Sequence, residues 1–306
     1  ISFQDIDVNI PGYTLMQRFP KQLIGEKGFA RFGAEYPIRY DFLDTMEGGN
    51  LSLQVHPNQQ YMIQNFAMPF TQDESYYYLD CAPEETYIYL GLTETANRAD
   101  MERDLRLAAE GKLDFPATKY ANKLPAKKHD HFSIPAGTVH CSGANTMVLE
   151  ISSSPCIFTF KLWDWGRIGL DGLPRPVHID HGMKNIQWDK HTDWIKENCA
   201  CDPVLIEEDE VHKEERTGLC ELQYLECRRI WMTGKTTHTT NGETNALNLI
   251  SGKEAVIESP DGQFAPYVIH FAESVCIPAT ITSYTITPCG ESEGKEVAVM
   301  KTFVRF

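Results

Sequence analysis

The sequence predicts a mainly β protein: two β-sandwich or barrel domains with one small helical insertion and a helical connector. Short alternating runs bounded by turn signals fill residues 51–92 and 132–165, and similar runs return over 216–306. Between the first two blocks the period changes. From Ala96 to Gly111, Met101, Leu105 and Ala108 recur at three- to four-residue spacing among Arg, Asp and Glu, and Gly111 supplies a stop. From His178 to Ala200, Trp188, Trp194 and Ile195 alternate with charged residues, as in a connector with one or two short helices. The expected boundaries are 1–200 for the first domain, with its insertion near 96–111 and the connector, and 201–306 for the second.

In order along the chain, residues 1–50 read as irregular, with turns at Pro11-Gly12 and Gly48-Gly49 and one strand at Pro37–Leu43. The run Leu51–His56 alternates, which puts Ser52, Gln54 and His56 on one face and Leu51, Leu53 and Val55 on the other. Glu74 opens an aromatic, strand-like run, Tyr76-Tyr77-Tyr78-Leu79. Pro135 and Gly137 set a tight turn that throws His140 onto the next strand. Pro174 and Pro176 close this block, and Glu207-Glu208-Asp209-Glu210 reads as a solvated loop. In the last third, Val256-Ile257, Tyr267–Phe271 and Ser274–Ile277 are strand-like, with a turn at Ser259–Gly262. No Pro-x-Gly-x-x-His element recurs there, so the second domain is expected to carry no metal.

Three distant pieces, Gln54 with His56, Glu74, and His140, offer two imidazoles, a carboxylate and an amide oxygen. That donor set suits a divalent ion of the zinc type and leaves a position for water or substrate. His129 and His131 are read as turn residues ahead of the Pro135 strand, not as ligands, and His178 and His181 as packing or capping groups. The formal charge of −15 argues against nucleic-acid or anionic-membrane partners. Hydrophobic content of 42% and charged content of 23% are ordinary for a globular chain. Nine cysteines without a disulfide framework, Cys199 and Cys201 being too closely spaced for a Cys-x-x-Cys site, read as reduced thiols and point to the cytoplasm. The chain starts at Ile1 with neither a methionine nor a signal-like stretch, which leaves room for residues upstream.

From about Tyr36 to Asn185 the chain resembles the type I mannose-6-phosphate isomerases in their shorter bacterial form, within the cupin superfamily. The resemblance rests on Pro37 to Pro57, on Ile134 to Glu150 with its Pro-x-Gly-x-x-His turn, and on Phe158 to Arg167 with Trp163-Asp164-Trp165-Gly166-Arg167. It implies two cupin-like jelly-roll domains, the second degenerate. It also implies one zinc ion per chain on Gln54, His56, Glu74 and His140, with Ser52 on the ligand strand. The implied reaction interconverts mannose 6-phosphate and fructose 6-phosphate through an enediolate, with Glu150 as general base and Arg167 and Lys161 holding the enediolate or the phosphate. Two positions depart from the pattern: Gln72 stands where the family usually has lysine, and Lys161 where it usually has arginine. These departures keep two alternatives open, a related isomerase or epimerase with a shifted substrate, and a metal-bearing sugar-binding or regulatory cupin without turnover.

Overall fold

A computed structural model describes residues 2–3, 6–153, 156–218 and 220–306. The chain begins with β1 (Ser2–Phe3), β2 (Ile6–Asn9), α1 (Gly12–Arg18) and α2 (Pro20–Phe32). It continues through β3 (Arg39–Asp44), β4 (Leu53–Val55), α3 (Gln59–Phe66), β5 (Glu74–Cys81), β6 (Tyr87–Leu92), α4 (Arg98–Ala109), α5 (Ala117–Tyr120) and β7 (Ala121–Pro125). Then come β8 (His131–Ile134), β9 (His140–Ser142), β10 (Thr146–Ser152), β11 (Phe160–Trp163), α6 (Ile179–Asn185) and α7 (Thr192–Asn198). The remainder is β12 (Val204–Glu208), β13 (His212–Thr217), β14 (Leu225–Met232), β15 (Thr236–Thr239), β16 (Asn245–Ser251) and β17 (Glu254–Glu258). It closes with β18 (Tyr267–His270), β19 (Ser274–Ile277), β20 (Ser283–Pro288) and β21 (Val297–Val304).

Two compact units emerge. One holds residues 39–201 with 220–223; the other holds 1–38, 202–219 and 224–306. The first 38 residues thus group with the later strands, where the sequence places them with the site-bearing half. They are also less irregular than expected, because α1 and α2 lie there. Their signal is faint: Met16, Ile24 and Phe32 are the buried apolar positions, and Gly25 interrupts the helix at φ 77°. A side chain at Gly25 would run into the carbonyl of Gly242, so the kink is imposed by close backbone approach.

In the 39–201 unit a four-stranded sheet, β3-β10-β5-β8, and a five-stranded sheet, β11-β4-β9-β6-β7, supply a shared core. Tyr76, Tyr78, Ile134 and Val148 from the first sheet pack with Ile88 and Leu90 from the second. The alternation read at Leu51–His56 holds: Leu53 and Val55 are buried in a separate cluster, with Met101 and Leu105 of α4 and Ile179 and Met183 of α6. That cluster covers one face of the five-stranded sheet and leaves Gln54 on the other. The expected insertion is α4, started by Asn97, whose side chain accepts from the Asp100 amide at 3.1 Å. Helix α3, absent from the sequence expectation, starts the same way, with Asn58 accepting from the Tyr61 amide at 2.9 Å. The connector contains α6 and α7.

The other unit pairs a six-stranded sheet, β12-β13-β14-β21-β16-β19, with a four-stranded one, β15-β20-β17-β18. Ile230, Leu247, Leu249, Ile257, Ile286 and Val299 form its core. Glu207 and Glu208, expected in a loop, end the edge strand β12 instead, although every residue of that strand is exposed. No helix among the described residues is long and apolar enough to cross a membrane.

Candidate metal centre

Three strand ends build the site. His56 follows β4, Glu74 opens β5, and His140 opens β9, directly opposite Gln54 in the β4–β9 register. Their ligand atoms lie within 4.8 Å of one another. His56 Nε2 is 3.1 Å from Glu74 Oε2, and His140 Nε2 is 2.9 Å from Glu74 Oε1. All three residues are at most 1% exposed.

The outer nitrogens decide what this cluster can hold. His56 Nδ1–H donates to the Phe158 carbonyl at 2.9 Å, and His140 Nδ1–H donates to the Thr138 carbonyl at 2.8 Å. Each Nε2 is therefore left with a lone pair aimed at a carboxylate oxygen. His56 Nε2 and Glu74 Oε1 have no hydrogen-bond partner, despite being buried and in contact range. Lone pairs facing at about 3 Å in a buried site repel unless a cation lies among them, and a carbonyl behind each imidazole is the usual backing of a metal-ligating histidine. The donor set fits a divalent ion. Without one, burial works against a charged His56, yet the Glu74 carboxylate outweighs it and raises the pKa. Burial likewise works against ionised Glu74, and the two histidines more than offset it, holding its pKa well down. Gln54 completes the set: its amide nitrogen lies 3.3 Å from His140 Nε2, and a half-turn of the amide presents oxygen instead.

Beside the cluster stands Glu150, on β10, also buried. Its Oε1 accepts from Arg39 Nη2 at 2.8 Å, Gln72 Nε2 at 3.1 Å and Ser152 Oγ at 2.7 Å. Burial first, and the neighbouring Glu74 charge next, push its pKa up to about 7. Gln72 links the two carboxylates. Its amide nitrogen donates to Glu74 Oε2 at 2.8 Å as well as to Glu150, and its oxygen accepts from the Phe158 amide at 2.9 Å. One residue, Phe158, is thus gripped by Gln72 through its N–H and by His56 through its carbonyl.

The structure brings Gln54, His56, Glu74 and His140 together, sets Glu150 next to them, and places Lys161 opposite Gln54 on the same face in the β11–β4 register. Arg167 bonds the Asn50 carbonyl and lies 3.4 Å from Asp164 Oδ1, and it makes no hydrogen bond to the cluster or to Glu150 among the described residues. Asp164 also takes Ser52 Oγ at 2.7 Å and Arg175 Nε at 3.0 Å, so Arg167 sits in an acid-centred network. His129 and His131 lie with Tyr77, which the alternation of β5 turns away from Glu74; the Tyr77 hydroxyl is 2.9 Å from His129 Nδ1. His181 stacks on Phe160 with ring centroids 4.9 Å apart, a packing role as expected.

Arg39 is the functional group that sequence reasoning misses. The strand Pro37–Leu43 is readable, and alternation puts Arg39 and Asp41 on one face. The signal that would have found them is the register, Ser152 opposite Arg39 and Glu150 opposite Asp41, which a single sequence does not carry.

No protein-family model matches the chain. It is similar to mannose-6-phosphate isomerase ManA of Bacillus subtilis (strain 168), at 26% identity over 196 residues, covering 64% of this chain and 54% of that protein. It is also similar to mannose-6-phosphate isomerase of Streptococcus mutans serotype c, at 28% over 149 residues, covering 48% of this chain and 43% of that protein. The chain spans about half the length of the curated relatives it matches. Among solved structures, mannose 6-phosphate isomerase from Bacillus subtilis superposes with a TM-score of 0.75 at 17% identity, over 95% of this chain and 81% of that one. A putative mannosephosphate isomerase from Archaeoglobus fulgidus gives 0.71 at 15% identity, over 98% and 82%. The fold is the cupin-like, mainly β fold of these structures, and the resemblance to mannose-6-phosphate isomerases read from the sequence stands.

Proposed function

We propose that the chain is a metal-dependent aldose–ketose isomerase that interconverts mannose 6-phosphate and fructose 6-phosphate. The observation that carries this is the pairing of a buried His56, Glu74 and His140 cluster, whose bare nitrogens face carboxylate oxygens, with a second carboxylate at Glu150 poised near neutrality. One divalent ion, zinc by its donor set, would be held by Gln54, His56, Glu74 and His140, and when bound supplies a Lewis acid for the C1 and C2 oxygens of the sugar. The residues of the chain do the proton work. Glu150 takes the proton from C2 of the aldose and returns it to C1 of the enediolate, while a proton passes from O2 to O1. A carboxylate with a pKa of about 7 suits both halves of that transfer. Arg39 and Gln72 fix the Glu150 carboxyl through Oε1, so the proton is carried on Oε2. Arg167, held by Asp164 and the Asn50 carbonyl, and Lys161, beside Gln54, are assigned to the enediolate or the phosphate. All nine cysteines are outside disulfides, in keeping with a cytoplasmic setting.

A second reading, a related isomerase or epimerase acting on a different sugar phosphate, is favoured by one observation. The cation nearest Glu150, Arg39, is already committed to Asp41, Glu150 and Ser152, and Gln72 supplies no charge. The test is a coupled assay of the metal-loaded chain on mannose 6-phosphate and a panel of hexose and pentose phosphates. Turnover of mannose 6-phosphate above the rest supports the first reading, and preference for another ester selects the second. Metal-loaded protein inert on all of them would leave a binding cupin in place of an enzyme.

A further inference from the structure

The unit that lacks the His–Glu–His cluster has a cavity of about 570 Å³ that the isomerase reading does not use. The inner face of its larger sheet changes character along the strands. Ile230 and Val299 pair across β14 and β21 and pack in the core; two residues on, the same face carries Arg228 opposite Lys301. Glu214, opposite Ile230 on β13, completes a buried charged group. Lys301 has a side chain only 12% exposed, and among the described residues its single ion pair is to Glu214 Oε1, a long 3.4 Å. An ammonium has three hydrogens to place, so two point at nothing the chain provides. Buried ion pairs of this kind are weak contributors to stability compared with well-packed apolar groups, and their presence calls for another reason.

His238, from β15, lines the same cavity. Its Nε2 lies 2.8 Å from Thr236 Oγ1, which itself donates to the Ile286 carbonyl at 3.3 Å. Whichever of the two donates, the neutral ring keeps its other nitrogen, Nδ1, as one further donor or acceptor. Burial, with Lys301 next, holds the ring neutral, its pKa pushed down to about 3. Asn245 and Thr240 also line it. The cavity so offers a cationic donor, a neutral imidazole and a carboxylate acceptor, and its lining sets Lys27, Lys301 and Arg305 against Glu207, Glu214 and Glu243, so the charges balance. A hydroxyl group, donor and acceptor in one, satisfies that combination. An anion would have to separate Lys301 from Glu214 and would face Glu207 and Glu243 as well, and a cation would meet Lys27, Lys301 and Arg305.

We infer that this cavity binds an uncharged polyhydroxylated molecule, a free sugar or sugar alcohol, with its hydroxyls held by Lys301, Glu214 and His238. The site is separate from the metal centre and does not depend on its assignment. Calorimetric titration of the full chain with D-mannose, D-fructose and D-mannitol tests it, on the wild type, His140→Ala and Lys301→Met. At least one of the three should bind with a dissociation constant of about 1–10 mM, persist in His140→Ala, and weaken at least about tenfold in Lys301→Met. His238→Gln, a change at a second proposed contact, should weaken it about threefold and guards against a Lys301 variant that does not fold. No binding of any of the three to the wild type overturns the inference. So does binding that vanishes in His140→Ala while surviving in Lys301→Met or His238→Gln, and so does inorganic phosphate displacing the sugar in His140→Ala.

Discussion

The two β units bury polar groups in opposite ways. In the 39–201 unit, two imidazole nitrogens and two carboxylate oxygens converge at His56, His140 and Glu74, an arrangement that a bound cation completes. In the other unit the buried groups come as complementary pairs: Lys301 and Arg228 with Glu214, and Arg229 with Glu215 at 2.8 Å. Similar two-sheet frames therefore support two kinds of interior. One is charge-unbalanced and demands an ion, and the other is balanced and suits a neutral ligand. In the first unit the groups sit at strand ends, and in the second they sit within β13, β14 and β21.

The largest effect that would break this contrast comes from a ligand change. His140→Ala should take metal content from about one ion per chain to near none by elemental analysis, and lower turnover by about a thousandfold, the several kcal/mol that a Lewis acid contributes. Retention of the ion would place it elsewhere and dissolve the comparison. Next is Glu150→Gln, which keeps the hydrogen-bonding shape but removes the base; turnover should drop by about a hundredfold while bound metal is unchanged. Loss of metal in this variant would make Glu150 a ligand instead.

The two units should also respond to pH with opposite signs in chelator-treated protein. Glu150 is raised from 4.5 to about 7, so the stability it contributes is full below 4.5 and is lost as pH rises through 7. His238 is lowered from 6.5 to about 3, so its contribution is full above 6.5 and is lost as pH falls toward 3. Urea midpoints against pH should flatten on the 4.5–7 side in Glu150→Gln, and on the acid side of 6.5 in His238→Gln. Identical profiles for both variants would remove the basis for treating the interiors as different. The smallest effect is expected of Gln72→Lys. A cation within bonding distance of Glu150 should lower its pKa and move the acid limb of the pH–rate profile down by about one unit; an unmoved limb would mean that Glu150 is not the titrating base.

Much of this was legible in local patterns. The alternation of Leu51–His56, the turn at Pro135–His140 and the period of Met101, Leu105 and Ala108 each reappear as elements in place. The ligand strand could be read because alternation alone fixes which side chains share a face. Arg39 and Gln72 could not be assigned roles, because these depend on which residues of β3 and β10 stand opposite each other and on a loop that carries Phe158 past Gln72. Helices α1 and α2 escaped because Gly25 and the sparse apolar positions break the period, and α3 because it is short and set among strands. Glu207 and Glu208 read as loop because an exposed edge strand has no buried face to impose alternation. Arg167 was legible from its place in a motif, but not its hold on the Asn50 carbonyl, which depends on how the chain brings residue 50 beside it.

The ligands reach the centre from widely separated parts of the chain. Glu74 and His140 meet only after β6, α4, α5, β7 and β8 have been laid down between them, and Gln54 faces His140 only once β4 has paired with β9. Closing so long a loop comes before any return from the contacts it allows. The ion contacts therefore belong to the descent from the folding barrier and not to the climb. Adding zinc should leave the refolding rate of a denatured, chelated chain almost unchanged while slowing its unfolding, so that the metal acts as a lock on the finished fold rather than as a seed for it.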